Sequence, residues 1–117
     1  MIKTCDRLVY ENLLSRDKQC QRCGRTNTLV PSHCHSKKAY PHLRHDLLNL
    51  LLLCDKCHRW WHSRPIQSWE WFVQKWEDRY EYLLVEKNKH VKLNKAHHKQ
   101  RARELRGEEK ENGTSKI

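Results

Sequence analysis

The chain has 117 residues, of which 32% are charged and only 37% hydrophobic, with a formal charge of +10. That leaves room for one domain and a tail around a small apolar core, a core lean enough to call for a disulfide or a structural metal. The charge favours a polyanionic partner, nucleic acid ahead of membrane, and the longest apolar run, Leu50 to Cys54, is far too short to span a bilayer.

No secretory leader is legible over Met1 to Leu14, so the expectation is a cytoplasmic protein whose clustered cysteines stay reduced and bind metal. Residues 4 to 16 are expected to form an amphipathic helix on Leu8, Val9, Leu13 and Leu14, capped by Thr4 or Asp6. Leu29 to His35 is a candidate strand, and Ser36 to Asp46 a basic loop. The leucines around Asn49 lead into a second cysteine pair, after which a helix is expected from His58 to His62.

From Pro65 onward, Trp69, Phe72, Val73, Trp76, Tyr80, Leu83 and Leu84 recur at helical spacing on one stripe, predicting a longer helical stretch. All five tryptophans lie between positions 60 and 76, which suits a packing face over the core; a base-stacking platform is the alternative. Residues 1–85 thus read as the folded domain. Residues 86–117 read as a basic tail, a solvated helix or disordered arm, because Lys87 to Arg106 carries eight Lys or Arg against the single acid Glu104. The end from Gly107 to Ile117 is expected to be unstructured.

The strongest motif is a pair of CxxC units, Cys20/Cys23 and Cys54/Cys57, with Gly24 permitting a tight turn. Two thiolates separated by two residues can face one ion, and two such pairs complete a tetrahedral site, for which zinc is the default. An iron–sulfur centre or a redox pair is the alternative. Cys5 and Cys34 lie outside this pattern and read as buried, inert thiols. Between the pairs come His33, His35 and Asn49; directly after Cys57 come His58 and His62, whose i, i+4 spacing on a helix aims both imidazoles at one point.

The run Cys20-x2-Cys23-Gly24, Ser32-His33, Leu43-Arg44, Asn49-Leu50, Leu53-Cys54-x2-Cys57-His58 and Trp60-Trp61-His62 resembles the HNH, or ββα-metal, endonucleases of the four-cysteine zinc type. The likeness is to small phage and bacterial members, some associated with recombination, and spans residues 5 to 84. It implies a small zinc-stapled α+β domain: a ββα-metal core with flanking helices and a basic C-terminal tail. It also implies a DNA endonuclease in which His33 is the general base, Asn49 ties the connecting loop to the hairpin, and His58 and His62 hold a catalytic ion such as Mg²⁺. Products would carry 5′-phosphate and 3′-hydroxyl ends.

Many members place Asp or His before the catalytic histidine as a further ligand, where this chain has Ser32. On an extended strand His35 shares a face with His33, so it could supply that ligand or compete for the base role. Lys37, Lys38 and Arg44 are candidate phosphate clamps or solvated loop charges. Beyond DNA, recombination or packaging proteins are possible partners, and a phage-encoded chain would act in the host cytoplasm. The competing expectation is a non-catalytic zinc-finger DNA-binding protein. The joint presence of His33, Asn49, His58 and His62 favours the enzyme.

Overall fold

A computed structural model describes residues 1–107. The fold is small and α+β, five helices around a two-stranded antiparallel sheet. Helix α1 spans Ile2–Asp17, strand β1 Leu29–His33 and strand β2 Leu50–Cys54; α2 spans Asp55–Ser63, α3 Pro65–Lys75, α4 Glu77–Glu86 and α5 Lys95–Leu105. Short 3-10 turns at Pro41–Leu43 and Leu47–Asn49 interrupt the long connection between the strands.

Strand β2 organises the molecule. Its LLLLC run is buried at every position, as expected of a strand covered on both faces. Side chains alternate along a strand, so the leucines divide between two clusters. Leu51 and Leu53 join Trp61, Phe72 and Leu83 from α2, α3 and α4, whereas Leu50 and Leu52 join Cys5, Leu8, Val9 and Leu13 of α1 with Ala102 and Leu105 of α5. The hairpin is thus the middle layer between two sets of helices. Its register pairs Leu29 with Cys54 and His33 with Leu50.

The outer edge of β2 meets no third strand, and its backbone is satisfied by other groups. Arg16 and Arg79 each donate to the Leu50 carbonyl at 2.7 Å, Asp17 accepts from the Leu52 N–H at 2.9 Å, and the Gln21 N–H donates to the Leu52 carbonyl at 2.9 Å.

Several expectations are corrected. Helix α1 begins at Ile2 with no side-chain cap, so Thr4 and Asp6 lie inside it; Leu14 is exposed while Cys5 takes a place in the buried stripe. Strand β1 ends at His33, two residues short of His35. The stretch after Pro65 is two helices, because Trp76 at φ −136° and ψ 64° turns the chain between α3 and α4. Phe72 and Leu83 are buried as the stripe requires, but the break turns Leu84 to the surface. All five tryptophans pack on the core: Trp61 is buried within it, and Trp60, Trp69, Trp71 and Trp76 lie partly buried against it.

The basic segment after Val85 is not a solvated arm throughout. Helix α5 is capped by Asn94, whose side chain accepts from the His97 N–H at 2.9 Å. It packs on α1 through Ala102 and Leu105, and Asn12 of α1 donates to the Leu105 carbonyl at 2.9 Å. The packing therefore runs past residue 85. The expectation of an unstructured end falls mostly on residues 108–117, outside the described ones. Among the described residues, no helix is long and apolar enough to cross a membrane.

Candidate metal and phosphate site

Cys20, Cys23, Cys54 and Cys57 bring their sulfurs together, all within 4.8 Å of one another. Gly24, at φ +82°, makes the turn that closes the first knuckle, its N–H donating to the Cys20 carbonyl at 2.9 Å. The second knuckle is the start of α2: Cys54 is the N-cap, its sulfur accepting from the Cys57 N–H at 3.4 Å. The Cys23 and Cys54 sulfurs stand 3.7 Å apart, far beyond a disulfide bond. Tetrahedral zinc–thiolate bonds of about 2.3 Å put neighbouring sulfurs about 3.8 Å apart, so the four thiols form a site that can hold a structural metal such as zinc. The Arg22 guanidinium stacks 3.7 Å over the Trp60 ring and donates to the Cys57 sulfur at 3.5 Å, adding positive charge beside the thiols.

At the other end of the hairpin a cavity of about 460 Å³ opens between β1 and α2. His33, Lys37 and Lys38 line it from the strand and loop, and His58, Trp61 and His62 from the helix. The structure thus brings His33, His58, His62 and both lysines to one cavity. A larger groove of about 590 Å³ along α3 is lined by Pro65, Ile66, Trp69, Val73 and Tyr80 with Glu70 and Gln74, and has no histidine or cysteine in its wall.

His33 is held by one hydrogen bond, 3.0 Å between its Nε2 and the Arg44 carbonyl. A carbonyl oxygen only accepts, so Nε2 carries the proton and Nδ1 keeps its lone pair. Burial pushes the His33 pKa down, which keeps the ring neutral and able to take a proton. Asn49, fully buried, braces both sides of this contact. Its Oδ1 accepts from the His35 N–H at 2.8 Å, and its Nδ2 donates to the His35 carbonyl at 3.0 Å and the Leu43 carbonyl at 3.1 Å. The residue after His33's neighbour and the residue before Arg44 are thereby tied together.

His58 and His62 face each other on α2 with their Nε2 atoms 3.1 Å apart. Two imidazoles sharing one ion in adjacent octahedral positions, with bonds of about 2.1 Å, hold their nitrogens about 3.0 Å apart. Burial, with His62 second, pushes the His58 pKa down and favours the neutral, ligating form. Among the described residues no third His, Cys, Asp or Glu ligand atom joins the pair within 4.8 Å.

Two residues of the expected site, His35 and Arg44, stand elsewhere, and so does Ser32. His35 packs its ring between Tyr40 and Trp69, 5.2 and 5.1 Å between centroids, and does not line the cavity. Beyond His33 the strand has ended, so the two histidines no longer share a face. Ser32 is fully buried and likewise off the cavity wall. Arg44 spends its guanidinium fork on Asp6, Nε to Oδ1 at 3.0 Å and Nη2 to Oδ2 at 2.6 Å, so it is not a free phosphate clamp.

Asp6 was not legible as a site residue, since an acid on a helix surface carries no signal of a partner 38 positions away. It grips both Arg44 and His45, the latter at 2.6 Å, and the Arg44 hydrogen bond holds its carboxyl down at about 2. Asp6 thus anchors to α1 the loop that presents the Arg44 carbonyl to His33. No protein-family model matches the chain, and neither the curated proteins nor the solved structures compared with it give a match.

Proposed function

We propose that this chain is a metal-dependent DNA endonuclease with a ββα-metal core, in which the cavity between β1 and α2 hydrolyses a phosphodiester bond. The observation that carries the reading is the convergence of His33, His58 and His62 on that one cavity, with Lys37 and Lys38 on its rim. His33, neutral and with Nδ1 free, takes the proton of the attacking water. The Arg44 carbonyl fixes the ring by its hydrogen bond to Nε2, and Asn49 keeps that carbonyl in place through Leu43 and His35. His58 and His62 would hold a divalent ion such as Mg²⁺, which when bound supplies charge to stabilise the departing 3′ oxygen. Among the described residues the chain would offer that ion these two nitrogens, and phosphate and water oxygens would supply the rest of its ligands. Lys37 and Lys38 attract the DNA backbone.

The four cysteines, with zinc, play no part in the chemistry. They fix the first turn of α2, so that His58, the residue after Cys57, starts the helical face turned to the hairpin. A supercoiled plasmid tests the reading. The protein as purified, given Mg²⁺ or Mn²⁺, should convert it to the nicked form, and EDTA in a brief incubation should stop the reaction. Tight plasmid binding without nicking under any of these ions would leave a DNA-binding zinc module instead.

A further inference from the structure

A second group of metal-ligating side chains lies where α1, α5 and the loop before β2 meet. Cys5 of α1, His45 of the loop before β2 and His98 of α5 each bring one ligand atom within 4.8 Å of the others. Helical and loop packing alone gives no reason for three such groups from distant parts of the chain to converge in a mostly buried place.

We propose that Cys5, His45 and His98 form a second cation site, for a divalent ion of the zinc class, which clamps α5 to α1 and to the loop. Two observations besides proximity point to a ligand. His98 Nδ1 is buried and has no hydrogen-bond partner, a costly state for a ring nitrogen and one that a metal bond removes. His45 Nε2 stands 2.6 Å from Asp6 Oδ1. A carboxylate only accepts, so Nε2 is the protonated nitrogen and Nδ1 holds the lone pair. A carboxylate behind a histidine in this way is the usual outer support of a metal-ligating imidazole, fixing its tautomer and raising its basicity.

Cys5 completes the set. It is fully buried, and its thiol has one long contact, 3.4 Å to the His98 carbonyl. On binding, the thiol proton leaves to solvent and the thiolate becomes the ligand. One thiolate with two imidazoles selects zinc over magnesium or calcium, which prefer oxygen, and leaves a fourth position for water. Two of the neighbouring cations are already paired. Arg44 is held by Asp6, and Arg101, which donates to the His45 carbonyl at 3.0 and 2.8 Å, is paired with Glu104 at 3.0 Å.

Cobalt titration of the full-length protein, stripped of metal and kept reduced, tests the proposal. The sulfur-to-cobalt charge-transfer band reports thiolate ligands only, so an ion on His58 and His62 adds nothing to it. The band should rise steeply over the first equivalent, as the four-cysteine site fills. It should then rise again over the second by about a quarter as much, one thiolate against four. Cys5→Ser should abolish the second rise and leave the first; His98→Ala should do the same or push it to much higher cobalt concentration. Cys34→Ser should retain both rises. A wild-type band that stops after one equivalent overturns the proposal whatever the variants do. So does a second rise that survives Cys5→Ser, or one that vanishes in Cys34→Ser.

Discussion

Asn49 holds His35 by both of its backbone polar groups, accepting from its N–H at 2.8 Å and donating to its carbonyl at 3.0 Å. A third bond, to the Leu43 carbonyl, ties the end of the same loop into the pair. Asn49→Ala would remove three hydrogen bonds at a fully buried side chain, one of them to a carbonyl that is itself buried. The expected cost is about 2–4 kcal/mol of stability, read as a lower urea midpoint. Where the variant is still folded, kcat for nicking should fall at least tenfold with KM little changed, because the Arg44 carbonyl no longer holds His33.

The cysteine cluster predicts a metal-dependent fold. Cys54→Ser removes one sulfur of the cluster while leaving a hydroxyl that can still cap α2, so the loss reports the metal site: cooperative thermal unfolding should be lost or its midpoint should drop by tens of degrees. Cys34→Ser, at a buried position outside the cluster, should unfold cooperatively and retain zinc. Differential scanning calorimetry with elemental analysis of the same samples makes the comparison.

The depressed pKa of His33 predicts the acidic limb of the activity profile. The base works only when neutral. A pKa pushed down by burial keeps it neutral at pH values where an ordinary histidine, near about 6.5, is already half protonated. The nicking rate should therefore stay on its plateau as pH falls through that value and decline only below it, when measured at saturating metal. A limb centred above it would mean that His33 is not the titrating base.

Helix α5 separates packing from DNA contact. Leu105→Ala should cost about 2–3 kcal/mol, because the side chain sits against Leu8, Val9 and Leu13 in a second core cluster. Truncation after Val85, which removes Ala102 and Leu105 and uncovers the α5 side of that cluster, should lower the melting temperature more than Leu105→Ala does. Exchanging the exposed Lys95 and Lys99 for glutamine should leave stability alone. If those side chains meet phosphates, the pair should flatten the slope of log affinity against log salt by up to about 1.8, at about 0.9 per contact.

What the sequence made legible follows from the range of the interactions involved. The cysteine pairs, the i, i+4 histidines and the buried leucine run are local patterns, and local geometry carries them into the fold largely unchanged. Trp76 illustrates the first limit: periodicity continued through it, but one residue with non-helical dihedrals ends α3 and starts α4. Helix α5 illustrates the second. Its charge density suggested solvent, yet Asn94 is a ready cap, and His98, Ala102 and Leu105 fall on one face at i, i+4, i+7. The roles of Asp6 and Arg44 were out of reach, since their pairing is set by how α1 docks against the loop. The same docking gathers Cys5, His45 and His98.

The most direct test of the proposed chemistry compares His33→Ala with the wild-type protein at saturating supercoiled plasmid and Mg²⁺. A general base acts in the transition state and not in ground-state binding, so the single-turnover nicking rate should fall by about 10²-fold or more. Zinc content, melting temperature and DNA affinity should stay near those of the wild type. A His33→Ala protein that is folded, binds plasmid equally well and nicks it at the wild-type rate would contradict the account.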